Sequence, residues 1–477
     1  MLQYVSRHAL AALVALSLGC GGATFNGTRD EAFLTAVEAR SGEDWEDAAV
    51  GALVYLGTAT EDDDRYDRAQ MLLAEALREL GFRYGAALYY WDVAQARRNA
   101  ELADEALLGL QALTTTGHVD DDLLLRSFVA SADIEGAQAE LADFVFYERG
   151  IDNLRRGEMV WATEALAAID DESPYHARAE MALAAVDLDD GKLNAAKARL
   201  ESLLGEESET PVPDDTAFEA RLALARIALD QERYRSAIRA YEALQDDASD
   251  RPSLLLEMAW AHYYQGNYRR SLGLLVALDA PVYSGLIAPE RYLLEAYNLR
   301  RLCQFDPART AAARLRSRHA DVLQDLREGV PPVDSEWLRQ AALQRDTVLP
   351  MARLVRATRA EVERLEDLTE RAESSGERLQ EAYVAGLRRL ERRLPHVVDA
   401  EARTIARELI SASDGVRLIL HELSVQLLRG RSRPSGPAPA DAIDEVPEGR
   451  VAYAFGGEFW TDELDEFEVV IEDRCLQ

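Results

Sequence analysis

Three cysteines, Cys20, Cys303 and Cys475, are the residues of this 477-residue chain best equipped to form a covalent bond. They lie far apart, so the chain has no paired-cysteine metal or redox motif. Its seven histidines are scattered without ligand spacing. "TEDDDRYD" and "HVDDDLLL" gather carboxylates that would either hold a cation loosely or sit solvated in turns. There is no Gly-rich phosphate loop, no His-Glu-x-x-His and no nucleophile elbow. We therefore expect no catalytic residue, no metal site and no cofactor, and a protein that is not an enzyme.

The elements around these residues are helical in character. Hydrophobic residues make up 48% of the chain, charged residues 29% and aromatics only 7%. Abundant Ala, Leu and Glu favour helices. The net charge of −33 argues against nucleic acid, whose phosphates it would repel. It argues equally against docking of the main body on an anionic lipid surface. Its plain consequence is a large, soluble surface. Length alone suggests about three domains, a prior that repeat architectures ignore.

The first twenty residues, "MLQYVSRHALAALVALSLGC", read as an export signal. Arg7 lies in a short polar start, and Ala9 to Leu18 form an apolar run too short to span a membrane as a mature helix. Gly19-Cys20 then resembles the end of a bacterial lipoprotein signal, although Ser17 stands where such signals usually carry Leu. The resemblance implies cleavage before Cys20 and a diacylglycerol on its thiol, giving firm membrane attachment. Gly21, which is not Asp, implies retention at the outer membrane, facing the periplasm. Ordinary secretion with cleavage near Ala23 is the alternative.

A spacing of 34 residues runs through the middle of the chain. It separates Tyr234 from Tyr268, Ala237 from Ser271, Gly157 from Gly191, Ala162 from Ala196, and Ala225 from Ala259. The polar loop "GEESETPVPDD" stretches Ala196–Ala237 to 41, and three extra residues near "APVYSG" stretch Tyr268–Phe305 to 37. Pro174, twelve residues after Ala162, is placed to stop a second helix. This order of small residue, turn Gly, aromatic and Ala resembles the tetratricopeptide repeat. The register is sharp over residues 140–320 and looser over 30–135. We expect an all-α fold, a tetratricopeptide-type α-solenoid over residues 30–322 with about eight hairpins, followed by long antiparallel helices and a short docked C-terminal tail.

In the family register the first helix of each hairpin lines a concave face. The resemblance places Arg226, Asp230, Trp260, Tyr263, Tyr264, Tyr297, Arg300 and Arg301 there. Aromatics and arginines are the types enriched at binding hot spots. This set is either a partner groove or packing, covered in part by the chain's own tail. His262 takes a packing position and is read as structural.

Residues 335–429 form a coiled-coil-like arm. Val355, Val362, Thr369, Gly376, Tyr383, Leu390 and Val397 recur every seven residues, with Thr358, Leu365, Ala372, Leu379 and Gly386 as the second heptad position. Pro395 is expected to break this stripe, and the stretch from Ala402 onward to fold back against it. From 351 to 433, sixteen arginines face fourteen acidic residues, a surplus of two positive charges. The arm is thus either a docking element for an acidic surface or a plain structural hairpin. A Pro/Gly-rich linker follows at 430–448, then a tail at 449–477. In the tail Val451, Tyr453 and Phe455 alternate as in a strand, while Trp460, Leu464, Phe467 and Ile471 have helical spacing. So short a piece cannot fold alone, so it must dock. With Cys20 lipidated, Cys303 and Cys475 remain in an oxidising compartment. They either pair, pinning the tail to the last repeat, or stay as two thiols.

The whole arrangement, with its "GEFWTDELDEFEVVIEDRC" ending, resembles the adventurous gliding motility lipoproteins of myxobacteria and relatives. The resemblance implies protein subunits of a cell-envelope complex as partners, a membrane tether at Cys20, no nucleic acid and no small-molecule substrate. An assembly or pilot lipoprotein for a secretin or outer-membrane barrel protein is the alternative.

Overall fold

The computed structural model describes residues 27–115, 129–130, 139–205, 212–245, 251–283, 288–345, 347–428, 457 and 467–476. Cys20, the 430–448 linker, most of the tail and the "HVDDDLLL" cluster lie outside them. The described residues hold nineteen α-helices and no strand. The chain forms two compact units.

The first unit takes residues 1–148 and 350–392. It carries the hairpins α1 (Arg29–Ser41)/α2 (Trp45–Thr58) and α3 (Tyr66–Glu79)/α4 (Arg83–Ala96), then α5 (Ala100–Thr115). The second takes residues 149–349 and 393–477. Its hairpins are α6 (Ala139–Arg156)/α7 (Met159–Ala167), of which α6 begins in the first unit, then α8 (His176–Asp189)/α9 (Leu193–Leu203), α10 (Asp214–Asp230)/α11 (Tyr234–Glu242), α12 (Arg251–Gln265)/α13 (Tyr268–Ala277) and α14 (Glu290–Arg301)/α15 (Phe305–Arg318). Helices α16 (Ala320–Glu328) and α17 (Glu336–Leu343) follow in the second unit; α18 (Leu349–Arg371) then belongs almost wholly to the first unit, and α19 (Glu377–Leu428) runs from the first unit into the second.

One turn closes all seven of these hairpins. Its central residue has left-handed backbone: Glu43, Gly81, Gly157, Gly191, Glu232, Gly266 and Cys303, with φ between 54° and 89°. The next amide donates back across the turn to the carbonyl five residues earlier, as Lys192 does to Asp187 at 2.7 Å and Gln304 to Leu299 at 2.9 Å. This bond satisfies a carbonyl that the ending helix would otherwise orphan. Five residues after each turn residue stands Ala48, Ala86, Ala162, Ala196, Ala237, Ser271 or Ala308, every one 0% exposed. The backbones approach there, and a larger side chain has no room. The looser N-terminal hairpins therefore obey the same rule, although their sequence spacing drifts.

The acidic turn at 60–67 is held by its own contacts. Asp63 accepts from the Thr60 amide at 2.8 Å and pairs with Arg29 at 3.1 Å, and Asp67 pairs with Arg98 at 2.6 Å. Among the described residues no group of three or more His, Cys, Asp or Glu converges on a common point. No described helix is long and apolar enough to cross a membrane.

Three sequence expectations need correction. Pro395 does not break the arm, because α19 runs through it without interruption. The position is exposed, so water serves the carbonyl that proline leaves without a partner. The break falls at Ala372–Gly376, where Ser374, Ser375 and Gly376 are weaker helix formers and a 3₁₀ turn, Glu373–Ser375, intervenes. Helices α18 and α19 are antiparallel about that turn, as Arg359–Glu391 at 2.5 Å shows. The heptad stripe survives on both sides of it, with Val355, Thr358, Leu365, Leu379, Tyr383 and Leu390 buried. Pro174 does not stop the preceding helix, which ends at Ala167. Finally, Phe467 and Ile471 are not helical. Residues 467–473 run without helix or turn.

Candidate partner-binding groove

Helices α11 to α14, from three successive hairpins in the second unit, bring six aromatic rings together. Trp260 stacks on Tyr264 at 5.6 Å, and Tyr264 stacks on Tyr234 at 5.7 Å. Tyr263 meets Trp260 edge-on at 5.7 Å and lies 6.0 Å from Tyr297 and 5.8 Å from Tyr268. Such pairs add to simple burial, because ring edges are positive and faces negative. Trp260, Tyr263 and Tyr297 are half-buried, and Tyr264 is 52% exposed. Burial raises the phenol pKa of Tyr264 and Tyr297. Both stay neutral hydroxyls in physiological water and are able to donate a hydrogen bond.

Sequence reasoning missed two members of the cluster. Tyr234 and Tyr268 belong to the second helices, α11 and α13, and start the very spacing that revealed the repeat. The signal was present, but the family register assigned those positions to filling between hairpins.

The arginines behave differently from the aromatics. Arg226 donates to both oxygens of Glu257, at 2.7 and 3.0 Å, and Glu257 also accepts from the Tyr241 hydroxyl at 2.9 Å. Arg300 pairs with Glu422 of α19 at 3.0 Å. Arg301 lies over the Tyr263 ring at 5.9 Å. Each is engaged within the unit, and Arg226 and Arg301 remain exposed beside the rings. Asp230 is exposed at the edge. The indole N–H of Trp260 donates to Glu290 at 3.2 Å, and that carboxylate's pKa is raised by burial against the indole bond. His262 is buried with neither ring nitrogen hydrogen-bonded. Burial, with Arg270 nearby, pushes its pKa down to about 4.

The described tail docks on α12–α15 and their turns. Phe467, Val469 and Ile471 face inward and pack on the core, while Glu468, Val470 and Glu472 face out. The Val469 amide donates to the Arg269 carbonyl at 3.2 Å, and the Arg474 amide to the Leu302 carbonyl at 3.1 Å. Arg270 donates to the Phe467 carbonyl at 2.8 Å, and Gln304 to the Glu472 carbonyl at 2.7 Å. Cys303 and Cys475 are joined by a disulfide, with their Cα atoms 5.2 Å apart. This explains the corrected periodicity. A segment lying on helices, with its backbone bonded to them, alternates its side chains as a strand would.

Stacked hairpins with a shared turn, small residues at the crossing and aromatics on the first helices define a tetratricopeptide-type helical repeat protein, a fold that serves as a protein-interaction scaffold. A family model described as a tetratricopeptide repeat-like domain matches residues 128–251. The P58(IPK) TPR domain, a solved structure, aligns over 85% of this chain and 99% of its own, at 14% identity and a TM-score of 0.20. A circular tandem repeat protein with novel repeat topology aligns over 85% and 91%, at 15% identity and a TM-score of 0.13. Likenesses this distant carry no functional argument. No curated protein matches the chain.

Proposed function

We propose that this protein is a non-enzymatic scaffold of a bacterial cell-envelope complex of the gliding-motility type, held at the outer membrane by acylated Cys20 and facing the periplasm. The observation that carries the reading is the aromatic cluster of Trp260, Tyr263, Tyr264 and Tyr297. Its rings come from successive hairpins, are ordered by mutual stacking and reach the surface at Tyr264. Rigid, half-exposed rings give contact area at small entropic cost, which is what a protein partner needs. The Cys303–Cys475 bridge supports an oxidising compartment. The sequence around Cys20 supports the tether.

The test is capture from the native envelope after mild crosslinking, with the wild-type chain and a Trp260→Ala/Tyr264→Ala variant. Envelope-complex subunits that follow the wild type and are lost with the variant support the reading. Secretin or barrel subunits in their place would support the assembly-lipoprotein alternative. A variant that keeps every partner removes the groove from consideration. Metabolic labelling with a fatty acid, abolished by Cys20→Ser, tests the tether separately.

A further inference from the structure

The tail seat is made for an extended segment rather than for one sequence. Two hydrogen bonds join main chain to main chain, and Arg270 and Gln304 each donate to a tail carbonyl. Those contacts read backbone, and the pockets for Phe467, Val469 and Ile471 read side chains. Gly273 of α13 completes the seat. A Cβ there would fall inside van der Waals contact of the Phe467 carbonyl, so the helix offers its bare backbone to the tail. The lock on this arrangement lies at the surface, with Cys475 exposed and Cys303 half-exposed. Accessible bridges are the ones that exchange readily with other thiols.

We propose that Cys303–Cys475 is a redox latch on a segment-binding face, and that its reduction opens the seat to an extended partner segment with apolar side chains at three alternate positions. The chain's own Phe467-Glu468-Val469-Val470-Ile471-Glu472 is the pattern for that occupant. The reductant is a dithiol. One thiolate attacks Cys475 Sγ and releases the Cys303 thiolate, and its second thiol then displaces Cys475. Two electrons and two protons pass to the bridge, leaving two thiols here and a disulfide on the donor. The freed tail stays tethered, at an effective concentration in the millimolar range. A partner must therefore bind better than the tail does alone, and the bridge converts that competition into exclusion. The seat uses the second helices α13 and α15 and the turns before them, and the proposal does not depend on the aromatic groove.

The probe is a fluorescent peptide of residues 466–477 carrying Cys475→Ser, titrated into the full chain whose own tail is weakened by Phe467→Ala/Ile471→Ala, in three forms: oxidised, reduced by dithiothreitol, and Cys303→Ser. Circular dichroism of each form verifies that helix content is kept. We expect saturable binding to the reduced and Cys303→Ser forms, at least about tenfold weaker binding to the oxidised form, and amide exchange at Val469 and Arg474 at least about tenfold faster once the bridge is opened. Equal affinity for oxidised and reduced chain, no binding to either, or loss of helix on reduction would each overturn the latch.

Discussion

The hydroxyl of Tyr383 donates to the carboxylate of Glu361 at 2.6 Å inside the first unit, joining α19 to α18. The same carboxylate accepts the Tyr84 amide at 3.0 Å, and the Tyr383 oxygen accepts the Gly85 amide at 2.9 Å. Both amides belong to the first turn of α4, where unpaired N–H groups and the helix dipole favour negative charge. Glu361 is thus a side-chain cap supplied from far along the chain. Burial nonetheless raises its pKa, against the pull of those bonds.

Tyr383→Phe removes one donor from a buried carboxylate, and we expect a loss of about 1–3 kcal/mol. Glu361→Gln should cost a similar amount. Because the two side chains share one network, the double variant should cost less than the sum of the singles. Chemical denaturation of the four proteins measures this, and strict additivity would refute the shared network.

The two buried histidines set an acid limit. His262 and His319 are both lowered to about 4, chiefly by burial, so the folded state binds fewer protons than the unfolded state between pH 6.5 and 4. Their stability contribution is complete above pH 6.5 and is lost as pH falls through 4. Glu361 acts in the opposite sense, since its raised pKa favours the folded state only below its folded value. We expect the histidines to dominate, with a melting temperature that falls steadily from pH 6.5 to 4 and falls less in His319→Gln.

Arg291 is 1% exposed and pairs with Asp279, while also donating to the Leu275 carbonyl at 3.0 Å. Asp279→Asn would leave that guanidinium buried with weakened compensation, and we expect roughly 2–4 kcal/mol of destabilisation. Arg291→Met, which removes the charge together with its partner's burden, should cost less. The reverse order in urea titrations would show that the ion pair itself is the stabilising element.

Gly273→Ala ought to strengthen α13 by about 1 kcal/mol on helix propensity alone. The close Phe467 carbonyl predicts another result: a displaced tail and a Cys303–Cys475 bridge that forms slowly on refolding. Timed thiol titration during oxidative refolding decides between them.

Much of the fold was legible because hairpin packing writes itself into small residues. Ala162, Ala196 and Ala237 must be small wherever they occur, so their spacing survives insertions. Glu43 and Glu232 hid the same turn from a search for glycine, since left-handed backbone is tolerated by other residues when the five-residue return bond compensates. Pro395 misled because solvent exposure, invisible in a list of residues, decides whether a helix bears a proline. The tail misled for a related reason: Phe467 and Ile471 fit a helical period, yet the surface that receives them dictated an extended path. The cluster residues were foreseeable by type, whereas the pairing of Arg226 with Glu257 and of Arg300 with Glu422 depends on which helices meet.

The bridge between Cys303 and Cys475 also has a mechanical meaning. It closes residues 303–475 into a covalent ring. Tension applied between α1 and Cys475 would pass through the backbone only as far as Cys303 and then cross the sulfurs. Everything from α15 through α19 would sit off that load path, as a slack loop that pulling cannot unravel while the bridge holds. Under traction the chain would yield in its first fourteen helices, and breaking one bond between two sulfurs would add the 172 residues from Cys303 to Cys475 to the length able to pay out.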